Sequence, residues 1–187
     1  MTRAAGRVVL AAAAAAVLVV TTFVQAQSPS PPSVASTVGQ WWKMLGRDLV
    51  ALAESMPEDK FNFKPTTGEF KTVRTFGEQL KHAACANEAF TLEIEHKEPP
   101  ADCENGGPNP AKTKAEIVQY LRQSFARLDA AVDGLTSANA LEPAGGRYGG
   151  QSTRLGLITL AIWHGADHYG QLVVYLRMNG IVPPASR

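Results

Sequence analysis

The chain carries almost no excess of charge of either sign. Its 18 basic residues face 17 acidic ones, for a formal net charge of +1. That balance leaves no basic field to attract nucleic acid phosphates. It also leaves no polybasic patch for anionic lipid headgroups. Only two cysteines occur, Cys85 and Cys103, and neither follows the apolar run near the N-terminus. This argues against a lipid-anchored N-terminus. No stretch alternates apolar and polar residues as a strand does, and no internal repeat is evident. The glycine-rich stretch Gly145–Gly150 lacks the Lys-Ser/Thr ending of a phosphate-binding loop and follows no strand, so it reads as a linker.

What is present begins with a leader. Arg3 and Arg7 precede an alanine-rich apolar run from Val8 to Val20, and Val24-Gln25-Ala26 offers a small-residue cleavage pattern. Residues 1–26 read as a signal peptide that exports the protein to the periplasm or beyond. An uncleaved anchor is the alternative, weakened by Thr21, Thr22 and Gln25. Cleavage removes Arg3 and Arg7. It leaves 16 basic against 17 acidic residues, a charge of −1, with no stable membrane insertion. Residues 27–36 are rich in Ser and Pro and read as a flexible spacer.

Residues 37–187 read as one all-α domain, a four-helix bundle. The first helix starts at Thr37-Val38-Gly39-Gln40, a capping-box pattern. Val38, Trp42, Leu45, Leu49, Leu52 and Met56 follow at spacings of four and three, the seam of a packed helix. Asp59 to Arg74 reads as a loop. A second capping box, Thr75-Phe76-Gly77-Glu78, opens a helix whose seam is Phe76, Leu80, Ala83, Asn87, Phe90 and Ile94. A third, Thr113-Lys114-Ala115-Glu116, opens a helix with Ile117, Tyr120, Leu121, Phe125, Leu128, Val132 and Leu135 on one face. The fourth helix runs from about Ser152 to Asn179, with Gly180 as its C-terminal cap and Pro183-Pro184 beyond.

The seam of the fourth helix contains two histidines. Leu157, Ala161, His164, His168, Gln171 or Leu172, and Tyr175 share its face. Residues four apart are surface neighbours on a helix, and two unpaired imidazoles are costly to bury. A metal ion satisfies both at once, and an i, i+4 pair can reach one ion. His82 lies one position before the seam residue Ala83 and can turn toward the same interior. Three histidines from two helices would leave open positions on the metal, which suits catalysis or ligand binding. Spacing alone equally allows hydrogen-bonded core histidines. His96 lies among Glu93, Glu95, Lys97 and Glu98, a stretch read as solvated, and has no site role.

Two blocks carry a resemblance to a known family. The first is Phe61-Asn62-Phe63-Lys64-Pro65-Thr66 followed by Arg74-Thr75-Phe76-Gly77-Glu78-Gln79-Leu80 before His82. The second is His164-Gly165-Ala166-Asp167-His168-Tyr169-Gly170-Gln171, with the ending from Tyr175 to Ser186. Together they resemble the DinB-like (DinB/YfiT) superfamily across essentially the whole mature chain. The resemblance implies a four-helix bundle with a three-histidine metal site, mapped onto His82, His164 and His168. Characterised relatives include thiol-dependent transferases and isomerases that use bacillithiol or mycothiol, which are cytoplasmic thiols. This chain departs from that setting in its export signal and its cysteine pair.

Around the metal several roles stay open. Cys85, three residues after His82, is a fourth ligand, a redox thiol, or half of a disulfide with Cys103; export favours the disulfide. Asp167 either orients an imidazole from outside the coordination sphere or faces solvent. Gln171 either hydrogen-bonds a water on the metal or fills the seam. Trp41, Trp42 and Trp163 read as core and groove walls, with Trp41 partly exposed, and Tyr120 and Tyr169 as packing residues. Three imidazoles suit zinc, nickel, iron or copper, with zinc, nickel and iron the leading choices. The expected function is that of a metal-dependent hydrolase or a thiol or other nucleophile transferase acting on a small molecule. The sequence offers no evident general base for it. The alternative is a non-catalytic metal- or ligand-binding bundle of the cell envelope, in which two copies can pair as a homodimer through helix faces.

Overall fold

Side-chain hydroxyls open each of the four helices. In the computed structural model, which describes residues 31–187, α1 spans Val34–Ser55, α2 Phe76–Ile94, α3 Lys114–Asp133 and α4 Arg154–Met178. Thr75 and Thr113 form reciprocal capping boxes with Glu78 and Glu116, as their spacing predicts. Thr153 caps α4 by accepting from the Gly156 amide. The start of α1 differs from expectation. Ser33, not Thr37, is its cap, with Ser36 closing the box. The Thr37 amide instead donates to the Ser33 carbonyl, 2.9 Å away, as the first helical bond. The helix therefore takes in residues 34–36 of the expected spacer. The leader, residues 1–26, lies outside the described residues.

The seams pack as a four-helix bundle in which α2 runs parallel to α3 and antiparallel to α4, while α1 runs antiparallel to α3. α2 packs against both α3 and α4, and α1 packs against the same two. Every seam residue expected on α2 and α3 is buried. Trp42 is enclosed and donates from Nε1 to Asp129, 2.8 Å away. Trp163 is not a core or groove wall: it is 65% exposed, because it stands about 100° round the helix from His164. α4 ends as a Schellman motif. The Ile181 amide reaches the Leu176 carbonyl at 3.0 Å and the Gly180 amide reaches Arg177 at 3.0 Å. Gly180 takes the left-handed φ of 73° that this turn needs.

The loops fasten onto the helix ends. After a single 3-10 turn at Glu58–Lys60, Phe61 and Phe63 offer their carbonyls to the first amides of α2. Those amides have no partner within the helix. The Phe61 ring packs edge-on to Phe76 and the Phe63 ring edge-on to Tyr175. The connection between α3 and α4 contains a pairing that periodicity is too coarse to signal. Pro143–Ala144 and Ser152–Thr153 form a two-residue antiparallel ladder, β1 and β2. The same loop is held by Glu93, which is buried rather than solvated. Its carboxylate accepts from the Tyr148 and Gly149 amides at 2.6 and 2.9 Å, and these bonds compensate its burial. Among the described residues no helix is long and apolar enough to cross a membrane.

Candidate metal centre

His82 comes from α2, and His164 and His168 come from α4. The spacing of four residues on α4 stacks two rings on one face, and antiparallel packing brings the third across from α2. His82 Nε2 and His168 Nε2 stand 3.0 and 3.1 Å from His164 Nε2. One nitrogen from each ring lies within 4.8 Å of the other two. His82 and His168 are buried and His164 is partly so.

The protonation states follow from the surroundings. A main-chain carbonyl can only accept, and the Cys103 carbonyl oxygen lies 2.8 Å from His82 Nδ1. His82 therefore carries its proton on Nδ1 and turns a lone pair at Nε2 toward the other rings. Burial pushes all three imidazoles toward the neutral form. It lowers His82, and with the charge of His82 it takes His164 down to about 4. Burial, then the charges of His164 and His82, takes His168 down to about 3. Neutral imidazole is the form that binds a metal.

These residues fit a divalent ion. With metal–nitrogen bonds of roughly 2.0–2.1 Å, tetrahedral ligand nitrogens stand about 3.3 Å apart, close to the two separations seen here. His164 and His168 keep their Nδ1 atoms buried without a hydrogen-bond partner. Three close nitrogen lone pairs repel one another unless a proton or a cation lies among them.

The cysteines take the disulfide role. Cys85 and Cys103 are joined, with Cα atoms 5.3 Å apart, and no free cysteine occurs among the described residues. Cys85 is therefore not a fourth ligand. The bridge holds the short turn Cys103–Asn105 against α2. Gly107 closes that turn with φ of 68°; a Cβ there would lie 2.4 Å from Cys85 Sγ. The disulfide thus delivers the Cys103 carbonyl to His82.

Asp167 and Gln171 are brought together, but away from the imidazoles' hydrogen bonds. Gln171 donates from Nε2 to Asp167 Oδ2 at 2.8 Å and accepts from Gln79 Nε2 at 2.7 Å. Three residues near the centre escaped the sequence reading as site residues. Arg74 donates from Nε to the Glu104 carbonyl at 2.7 Å and pairs with its carboxylate. The charges of Arg74 and Glu104 both reach His82 and His164. Gln79 is buried one helical turn before His82. Only its i, i+3 relation to His82 pointed to it.

The sequence from residue 42 to 172 matches the family model described as the DinB superfamily. The chain belongs to the DinB superfamily. Solved structures agree at the level of fold. A conserved protein from Enterococcus faecalis is 15% identical, with a TM-score of 0.62, covering 79% of this chain and 97% of that one. A DinB-like protein from Bacillus cereus is 12% identical, with a TM-score of 0.57, covering 79% and 93%. A DinB-like protein from Bacillus subtilis is 19% identical, with a TM-score of 0.59, covering 77% and 92%. A comparison with curated protein sequences finds no match. The DinB superfamily bundle of this chain thus brings its three histidines to one point between α2 and α4.

Proposed function

We propose that this DinB superfamily protein holds one divalent metal ion through His82, His164 and His168, and acts there on a small-molecule substrate. The observation that carries the reading is the convergence of three neutral imidazole nitrogens, one of them fixed in its tautomer by the Cys103 carbonyl. Three protein ligands leave coordination positions open, the pattern of catalytic rather than structural sites. A divalent ion bound there supplies a Lewis acid that activates water or a thiol and polarises a carbonyl. The protein's part is to keep the imidazoles neutral, orient His82, and close one side with Phe90, whose ring stands edge-on to His164. Hydrolysis is the first candidate and transfer of a thiol or other nucleophile the second. Zinc, nickel and iron are the candidate ions.

A non-catalytic metal- or ligand-binding role is favoured by a different observation. The nearby carboxylates are already engaged, Asp167 by Gln171 and Glu104 by Arg74. Neither is a hydrogen-bond partner of an imidazole, so a free general base is missing among the described residues. Elemental analysis of protein from its native host, followed by hydrolase and thiol-transfer screens, separates the two roles. Bound metal with turnover supports the enzyme; bound metal without turnover supports the binding protein. A His164→Ala variant that keeps its full metal content would sink both.

Export belongs to the same proposal. It is supported by the leader pattern and by the Cys85–Cys103 bridge, since disulfides persist in oxidising compartments. Outside the cytoplasm the low-molecular-weight thiols are scarce, which places hydrolysis ahead of thiol transfer. N-terminal sequencing of the mature protein tests it; an intact Met1 would contradict cleavage.

A further inference from the structure

α4 is apolar on more than the side it gives to the core. Between Arg154 and Arg177 its only acidic or basic side chain besides the two histidines is Asp167. α3, by contrast, turns Gln119, Arg122, Gln123 and Arg127 to solvent. On the outer side of α4, Trp163, Ala166, Gly170, Val174 and Met178 recur at spacings of three and four, and all are exposed. They form a second stripe, opposite the one that packs in the bundle. A helix apolar all round is one that is covered all round. Among the described residues nothing covers this side.

The stripe continues onto α1. A Cβ at Gly165 would lie 2.7 Å from Leu45, so α1 and α4 touch there. Trp41, one turn before Leu45, is 53% exposed on that shoulder of α1, and Met44 is exposed beside it. Trp163 and Trp41 thus stand open on one face, and tryptophan is among the side chains that dominate protein interfaces. From Leu160 to Met178 the face is about 27 Å long, and two helices side by side make it about 20 Å wide. Two such faces laid together cover about 1,100 Å², above the roughly 1,000 Å² that a specific interface must clear.

We propose that this face pairs with the same face of a second copy, α4 against α4 in antiparallel, about a two-fold axis at Gly170. Gly170 is the middle of the stripe, and a Cβ there would meet nothing within 4 Å, so two backbones can approach closely. Trp163 precedes Gly170 by seven residues and Arg177 follows it by seven. The axis therefore sets each Trp163 against the partner's Arg177, a cation over an indole. The same guanidinium comes about 6 Å along the helix from Asp167, within reach of the arginine side chain. The one acidic and the one basic group of the stripe are thereby matched, which makes the patch complementary to itself, as a two-fold interface requires. The pairing depends on no metal, since His164 and His168 turn toward His82 on α2.

Sedimentation velocity of the protein purified from its host, over a wide range of concentration, is the test. The wild type should form dimers. Gly170→Arg should stay folded, because the added side chain starts in open space and arginine is the better helix former; it should be monomeric throughout. Trp163→Ala should raise the dimer dissociation constant about tenfold or more. Arg177→Glu should weaken the dimer, and adding Asp167→Arg should restore it, because the two charges then exchange places. A wild type that is monomeric at every concentration overturns the proposal; if it gathers instead on phosphatidylglycerol vesicles, the face belongs to a lipid surface. A dimer that Gly170→Arg leaves intact overturns it as well. A double reversal no tighter than Arg177→Glu alone overturns the antiparallel pairing about Gly170.

Discussion

His82 donates from Nδ1 to the main-chain carbonyl of Cys103, 2.8 Å away, and Cys103 is held there by its bridge to Cys85. Metal-ligand orientation and the disulfide are therefore coupled. Hydrogen bonds that orient a ligating imidazole are worth about 10–100-fold in metal affinity. Replacing both cysteines by serine should weaken zinc binding by about that factor without abolishing it. Competition against a chromophoric chelator measures it, and equal affinities would uncouple the two features.

The same bridge should stabilise the fold. It joins residues 18 apart in sequence, and closing such a loop in the unfolded chain is worth about 3 kcal/mol in the chain-entropy model. Urea unfolding of the double-serine variant should show a loss near that size. A loss well under 1 kcal/mol would mean that the Cys103 turn is held by its other contacts.

Acid should destabilise the metal-free protein through its histidines. Their ordinary value is 6.5, while the folded chain takes His164 to about 4 and His168 to about 3. Between these limits the unfolded chain binds protons that the folded chain refuses. Their contribution is nil above neutral pH and grows more unfavourable as pH falls from about 6.5 toward 3–4. Each histidine adds up to about 1.4 kcal/mol per pH unit to the slope. Stability curves for wild type and a His164→Gln/His168→Gln variant should diverge below pH 6.5, the wild type falling faster. Parallel curves would contradict buried neutral imidazoles.

Glu93 should matter to stability although it lies far from any chemistry. Its carboxylate takes two loop amides. A glutamine there can accept through one oxygen only, and the other amide would face an NH2 group. Glu93→Gln should cost about 2 kcal/mol, the range of a hydrogen bond to a charged group. Guanidinium unfolding with limited proteolysis of the 137–151 loop reads it. An unchanged midpoint would show that water satisfies those amides equally well.

What could be read from the sequence was local or periodic. The capping boxes at Thr75 and Thr113 depend on residues three apart. The α2 and α3 seams repeat at helical spacing, and the His164–His168 pair lies on such a repeat. Ser33 is masked in the sequence because Thr37 begins a similar pattern four residues later. Residue type alone favours an inward Trp163, whereas its phase on α4 points outward. Glu93 looked solvated because its partners are amides of a loop more than 50 residues away. The groups that complete the site are of that non-local kind. The Cys103 carbonyl is main chain and has no residue signature. Gln79 meets Gln171 only across the gap between two helices.

Calorimetric titration of the metal-free chain with zinc tests the central claim most directly, with His164→Ala run beside it. The account predicts one equivalent bound by the wild type and loss of that binding event in the variant, with the helical circular dichroism retained. Full stoichiometric binding by folded His164→Ala, or none by the wild type, would contradict a centre built from His82, His164 and His168.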